Sequence, residues 1–170
     1  MKVVRNRSTR EIWVSQQYYM ESLIERWGMQ DANPVYTPME DHIWKLKDAP
    51  PNALPELSKL LRPKFIKQYQ AIVGGLLYLA ICTRPDIAYS VQALSQHNMN
   101  PSLTHFLATK RLVQYLIATK SYSLHFGSMR RHEALMGYSD ADWVSEPDRI
   151  SLSGYLWTYT GGLISWGSRK

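Results

Sequence analysis

The sequence predicts an α+β fold in which a helical region is followed by a three-stranded antiparallel sheet. Up to Ser123 the apolar residues recur every three or four positions, the period of a helix that buries one face. Beyond Ser123 they fall in short segments, and Tyr155, Trp157 and Tyr159 alternate with other residues as in a strand. Hydrophobic residues make up 45% of the 170 residues, which is enough for a packed core and excludes a disordered chain.

Residues 1–39 predict one strand and one helix. Glu11–Val14 has the composition of a short strand, Ser15 is a plausible N-cap, and Gly28 is placed to end the helix. The apolar face of that helix is formed by Met20, Leu23, Ile24 and Trp27. Residues 40–61 are polar and rich in proline, so we expect a linker or a long surface loop there.

Three helices are predicted over residues 62–127. Pro63 is expected to open the first helix, and Arg84-Pro85-Asp86 to break it. The Asp86 side chain is then a candidate cap for a second helix that runs through Ser95. Asn100-Pro101-Ser102 breaks the chain again and precedes the third helix.

Residues 134–170 predict the sheet. Short segments at 135–139, 153–160 and 163–166 read as three strands of an antiparallel meander. Gly161-Gly162 separates the last two, and both glycines can adopt the positive φ that a tight hairpin turn needs. The aromatic row of the middle strand could stack nucleobases, but a half-buried sheet face explains it better.

The charge is divided unevenly along the chain. Met1–Ala134 carries a net charge of +7, whereas Leu135–Lys170 carries −1. This division suits a protein that holds phosphates with one part and divalent metal ions with another, but from charge alone ordinary solvated surface charge is the favoured explanation. Cys82 is the only cysteine, which excludes an internal disulfide and a thiolate metal cluster. The longest apolar run, Ala71–Cys82, is too short to span a membrane, so we expect a soluble, intracellular protein.

Exposed bases on the predicted helices are candidates for a phosphate-binding surface, with a solvated helix face as the equally supported alternative. These candidates are Lys64, Lys67, Arg84, Lys110 and Arg111. The five histidines show no spacing typical of a metal site, and we expect structural or surface roles for them.

An ordered set of motifs, at consistent spacing from about Ile12 onward, resembles the copia-type retrotransposon Pol polyproteins. The set comprises Ile12–Gln16, Leu23–Met29, Thr37–Met39, Val73–Leu79, Thr83–Ala88, Asn100–Ser102, Gly137–Trp143, Ser153–Tyr155 and Ile164–Trp166. The resemblance implies that the chain runs from the end of the reverse transcriptase, through a helical thumb- or connection-like region, into a truncated RNase H-like domain. Each motif is weak alone, but their order is specific.

The resemblance also implies a metal position in the sheet. Asp140 matches the first metal-binding aspartate of RNase H folds, with Asp142 as a weaker candidate on the same strand face. A metal would also offset the cost of a carboxylate inside an apolar strand. The parent family uses Mg²⁺ or Mn²⁺, but we expect none to be held stably here. No Asp-Asp pair of a polymerase site occurs, and the family's later RNase H carboxylates would follow Lys170.

We therefore expect a catalytically incomplete fragment of a reverse transcriptase/RNase H polyprotein that binds an RNA–DNA hybrid or duplex. The alternative is a retrotransposon-derived, non-catalytic protein-interaction module. The rest of the polyprotein is a further candidate partner, and a membrane is not expected.

Overall fold

The computed structural model describes residues 1–40, 58–127, 135–142 and 151–169. They form six strands, four α-helices and one short 3₁₀ turn, which together confirm an α+β fold. The elements are β1 (Lys2–Asn6), β2 (Glu11–Ser15), α1 (Gln17–Arg26), α2 (Ser58–Cys82), the 3₁₀ turn (Pro85–Ile87), α3 (Ala88–Ser95), α4 (Leu103–Ala118), β3 (Leu124–Phe126), β4 (Met136–Asp142), β5 (Leu152–Tyr159) and β6 (Gly162–Arg169).

The first sheet has the order β1-β2-β3 and is antiparallel throughout. The sequence predicted β2, but it did not predict that β1 and the distant β3 flank that strand. Trp13 of β2 stacks on His125 of β3 with 4.7 Å between ring centroids, and His125 Nε2 lies 3.0 Å from the Glu11 carboxylate. These cross-strand pairs fix the register of a strand of only three residues.

The four helices bury one apolar cluster. Its members are Met20, Leu23, Ile24, Tyr69, Ile72, Val73, Leu76, Leu79, Ala80, Ile87, Val91, Leu94, Leu112, Val113, Tyr115 and Leu116. Gly75 lets α1 approach α2 closely, because a Cβ at that position would lie 3.1 Å from Leu23 Cδ1 and 3.2 Å from Trp27 Cζ2. The Tyr69 hydroxyl donates to the Leu94 carbonyl at 2.7 Å and so satisfies its polar group inside the cluster.

Helix α2 is longer than the sequence predicted, because it begins at Ser58 and contains Pro63 instead of opening at it. The predicted linker 40–61 therefore loses its last four residues to the helix, and residues 41–57 lie outside the described residues. Leu61–Cys82 is also long and apolar enough to cross a membrane, with a mean hydropathy of 1.3. The prediction that no segment is long enough considered only the twelve residues Ala71–Cys82 and was therefore wrong about length. Residues of α2 supply much of the helical core, but only 33% of the apolar window is buried.

Helix caps differ in part from the prediction. Gly28 adopts a positive φ of 63° after α1, as expected of a glycine that ends a helix. The N-cap of α1 is Gln16, not Ser15, and it makes no side-chain cap hydrogen bond. Helix α4 begins with a capping box in which Ser102 Oγ accepts from the His105 backbone N–H and His105 Nδ1 accepts from the Ser102 backbone N–H.

The second sheet is the predicted meander, with the order β4-β5-β6 and antiparallel pairing. Its turn lies one residue earlier than expected: Thr160 and Gly161 are the central residues, with φ of 49° and 75°. Two consecutive positive φ values are typical of a type I′ turn. The following residue, Gly162, packs directly against Phe126 of the first sheet, where a larger side chain would clash.

The end of α2 is joined to both the second sheet and the first strand-to-helix junction. Trp166 Nε1 of β6 donates to the Ala80 carbonyl at 2.7 Å. Thr83 Oγ1 donates to Gln16 Oε1 at 2.8 Å, and both residues are buried. The two sheets and the helical cluster therefore meet where α2 ends.

A buried cation lies at this junction. Arg84 is 2% exposed, and every N–H of its guanidinium has a partner. Nε and Nη2 donate to the Asp86 carboxylate at 2.9 and 2.7 Å, while Nη1 and Nη2 donate to the Thr119 carbonyl and hydroxyl at 3.3 and 2.6 Å. Nη1 also lies 3.6 Å from Met20 Sδ. The Asp86 carboxylate thus accepts hydrogen bonds from Arg84 and does not cap α3, whose N-cap is Ile87.

Two tyrosines complete the surroundings of this cation. The rings of Tyr115 and Tyr122 lie 5.6 and 5.4 Å from the guanidinium carbon, within the range of a cation–π contact. The Tyr115 hydroxyl also donates to Asp86 Oδ2 at 2.9 Å. Burial and then this hydrogen bond to a carboxylate raise the pKa of Tyr115 to about 12.

This environment predicts an alkaline limit on stability. A tyrosine whose pKa is higher in the folded chain than in the unfolded chain stabilises the fold below pH 10, and that contribution is lost between about pH 10 and pH 12. The free energy of unfolding of the parent should therefore fall over this range by about 1–2 kcal/mol more than that of Tyr115→Phe. Denaturant unfolding across the range measures the difference, and parallel curves would contradict the assigned environment.

Candidate nucleic-acid interface

The predicted phosphate-binding residues divide into buried and exposed groups. Lys64 and Lys67 are exposed on α2, and Lys110 is exposed on α4. The Lys110 ammonium lies 5.4 Å from the centre of the Phe106 ring, and Phe106 packs against Phe65 of α2 with 5.3 Å between centroids. The aromatic contact places α4 beside the turn of α2 that contains Phe65, which lies between Lys64 and Lys67 in the sequence.

Arg84 does not belong to this group. Its guanidinium is buried and fully hydrogen-bonded at the end of α2, which leaves no N–H to donate to a phosphate. The expectation of a phosphate contact at Arg84 is therefore replaced by a structural role.

Arg111 holds an intermediate position. Nη1 lies 3.2 Å from Glu40 Oε1 and Nη2 donates to Thr37 Oγ1 at 2.8 Å, which ties α4 to the segment that follows α1. The Glu40 side chain is 78% exposed, and such an exposed ion pair contributes at most about 1 kcal/mol. Glu40 and Thr37 thus already occupy two of the five N–H donors of Arg111. For Lys64, Lys67 and Lys110, the described residues supply no ion pair.

A second basic surface, which the sequence patterns did not predict, lies on the β1–β2 hairpin. Met1–Arg10 contains four bases and no acid, and all ten residues are exposed. The bases are Lys2, Arg5, Arg7 and Arg10. The run of like charge is visible in the sequence. The arrangement of these bases in space follows only from the pairing of β1 with β2. The bases then lie on the edge strand β1 of the first sheet and on the turn that joins it to β2.

The predicted metal position, Asp140, lies on β4 opposite Gly154 of β5. It is exposed, so the expected burial cost that a metal would offset does not arise. Asp140 lines a cavity of about 540 Å³ between the second sheet and the start of α3, together with Tyr138, Trp166, Asp86 and Tyr89. In the backbone register, Asp142 of β4 pairs with Leu152 of β5.

The described residues do not form a closed metal site at this position. Among residues 1–40, 58–127, 135–142 and 151–169, no group of three His, Cys, Asp or Glu side chains converges as metal ligands would. The other carboxylate that lines the cavity, Asp86, is already bound by Arg84 and Tyr115. Because Mg²⁺ needs several fixed oxygen ligands, the groups near Asp140 do not fit a firmly held divalent ion.

Comparisons with known proteins identify the relatives of the chain. It is 39% identical over 170 residues to the retrovirus-related Pol polyprotein from transposon TNT 1-94 of Nicotiana tabacum, covering 99% of this chain and 12% of that protein. It is 38% identical over 158 residues to the retrovirus-related Pol polyprotein from transposon RE1 of Arabidopsis thaliana, covering 92% of this chain and 10% of that protein.

A third relative is much shorter. The chain is 45% identical over 103 residues to secreted RxLR effector protein 161 of Plasmopara viticola, covering 60% of this chain and 72% of that protein. No protein-family model matches the chain, and no solved structure resembles it significantly. The chain spans about a tenth of the length of the Pol polyproteins, and the match extends over nearly all of its own residues. It belongs to the copia-type Pol polyproteins of retrotransposons.

Proposed function

We propose that this chain is a nucleic-acid-binding and catalytically incomplete part of a Pol polyprotein, extending from the end of the reverse transcriptase into the start of an RNase H-like domain. Its ligand in this proposal is an RNA–DNA hybrid or a duplex. The motifs from Ile12 to Trp166, in the order in which the family carries them, support this placement.

The observation that carries the proposal is the exposed segment Met1–Arg10, which forms β1 and the turn that follows it and contains four bases and no acid. Each base that neutralises a phosphate releases condensed counterions, so a small number of contacts gives substantial affinity at low salt. An exposed hairpin can place several cations along a phosphate backbone without the cost of desolvating buried groups. The region of Lys64, Lys67 and Lys110 offers a second set of cations for the same kind of ligand.

We expect neutralisation of the hairpin to weaken duplex binding and to reduce its dependence on salt. In the triple variant Lys2→Gln/Arg5→Gln/Arg7→Gln, the slope of log affinity against log salt should become shallower by about 0.9 for each phosphate contact removed. Fluorescence anisotropy with a labelled RNA–DNA hybrid at several salt concentrations measures this slope.

A control variant that removes exposed bases elsewhere, Arg26→Gln/Lys120→Gln, should change the slope much less. Arg26 lies in the last turn of α1 and Lys120 follows α4, and both are exposed. An equal loss in both variants would mean that net charge alone, and not the hairpin, determines binding.

We further propose that the 170 residues lack both polymerase and RNase H activity. A two-metal mechanism needs carboxylates that clamp both the attacking and the leaving oxygen. The sequence contains no Asp-Asp pair, and Asp140 faces a cavity whose other described carboxylate is already bound by Arg84. Asp140 with Asp142 cannot supply the ligands for two ions, so substrate would bind without being cleaved.

The test of this second proposal is an incubation of the purified chain with a labelled RNA–DNA hybrid in Mg²⁺ or Mn²⁺. Parent and Asp140→Asn should give the same background, since no metal-activated water is formed by either. Cleavage by the parent that is absent in Asp140→Asn would restore an enzymatic role for this strand.

A protein-interaction role is supported by a different observation. Leu77, Tyr78 and Ile81 leave an apolar stripe on the outer face of α2, with exposures of 42%, 49% and 65%. Such a stripe fits contact with another part of the polyprotein, in which this chain would be one tenth of the whole. Duplex binding that is absent at low salt would favour this second role.

A further inference from the structure

The two faces of the second sheet differ in their surroundings. On β5, Leu152 and Leu156 are half-buried on the face that lines the cavity next to α3. Alternation along β5 assigns Tyr155, Trp157 and Tyr159 to the other face, where they are 37%, 42% and 52% exposed, and Tyr155 also borders the cavity. The aromatic alternation therefore marks a face of the strand that is about half-buried, as the sequence predicted.

Two of these rings lie flat against neighbouring strands. A Cβ at Gly137 of β4 would lie 2.6 Å from the six-membered ring of Trp157. A Cβ at Gly167 of β6 would lie 2.7 Å from the ring of Tyr155. Each ring thus occupies the space that a side chain on the adjacent strand would take, and each remains partly exposed.

The rest of this face is small, polar and free of acidic groups among the described residues. The register places Ser139, Ser153 and Ser165 beside the aromatic row, and Arg169 opposite Ser153. A sheet face that packs against a helix carries aliphatic side chains, as the opposite face does with Leu152 and Leu156. Within the described strands, the register assigns to this face Arg169, Ala141, the three serines and the three aromatic rings.

We propose that this face, defined by Tyr155, Trp157, Tyr159 and Arg169, binds unpaired bases of single-stranded nucleic acid by stacking. Aromatic rings accept any nucleobase on their π faces, and Arg169 supplies a charge for the adjoining phosphate. A duplex is a poorer occupant, because its bases are already stacked on both sides and offer only their edges.

The spacing of the rings agrees with a single strand. Alternate residues of a strand are about 6.6 Å apart, roughly twice the 3.4 Å advance of each nucleotide along one strand of a duplex. Bases that stack on neighbouring rings must therefore be drawn apart, as an extended single strand permits. This inference deepens the nucleic-acid binding proposed above, but it concerns bases on the second sheet instead of phosphates on the hairpin.

The test compares two labelled probes of equal length and charge, an oligothymidylate and an abasic oligonucleotide, bound to the full chain and followed by anisotropy. The parent should bind the oligothymidylate more tightly. Trp157→Leu removes the π surface but keeps an apolar side chain, and it should weaken oligothymidylate binding roughly tenfold while leaving the abasic probe unaffected. Trp157→Phe should retain most of the preference.

Tyr18→Leu is the matched control, because Tyr18 is 85% exposed on α1 and lies outside the sheet. Circular dichroism verifies that each variant is folded. If Trp157→Leu unfolds, Tyr159→Leu replaces it, because the Tyr159 ring covers neither Gly137 nor Gly167. The hairpin triple variant should weaken binding of both probes equally.

The outcomes separate the two proposals. Equal affinity of the parent for both probes, with normal salt dependence, would reject stacking and leave phosphate binding by the hairpin intact. Unchanged oligothymidylate binding by Trp157→Leu would likewise reject stacking. A third outcome is that the parent self-associates and that Trp157→Leu makes it monomeric without loss of oligothymidylate affinity. This outcome would mean that the face mediates contact between copies of the chain.

Discussion

The structure depends on the need to pair one buried cation. Arg84 places five N–H donors in the interior, and a buried charge is tolerated only when it is paired and hydrogen-bonded. The partners come from three separate segments: Met20 of α1, Asp86 of the 3₁₀ turn and Thr119 after α4. Those segments must therefore converge on the end of α2, and Trp166 attaches the second sheet to the same place through the Ala80 carbonyl.

This arrangement also decides which bases face solvent. The chain has a net charge of +6, but not all of its bases are free to bind a ligand. Arg84 is paired in the interior, and Arg111 contacts Glu40 and Thr37. The exposed cations in the described part of the chain include those of the β1–β2 hairpin and Lys64, Lys67 and Lys110 of α2 and α4. Phosphate binding is therefore proposed for these surfaces, and base stacking for the separate aromatic face of β5.

Local patterns in the sequence predicted the helices and the meander, since their periods are carried by neighbouring residues. They did not predict β1 or the partner of β3, because the pairing of Val14 with Leu124 joins positions far apart in the chain. They could not show that Arg84 is buried, since its acceptors are brought together only by the tertiary fold. Alternation on β5 defined two faces, but which face meets the helices depends on Trp166 and its bond to α2.

The most direct measurement is a double-mutant cycle on Arg84 and Asp86, with the free energy of unfolding determined for Arg84→Met, Asp86→Asn and the double variant. Arg84→Met should cost about 3 kcal/mol, because it leaves a partly buried carboxylate without its cation. The two changes should be coupled by at least about 1 kcal/mol. Hybrid affinity of the folded variants should match that of the parent. Additive effects, or an Arg84→Met variant of normal stability that loses hybrid binding, would contradict the structural role of this residue.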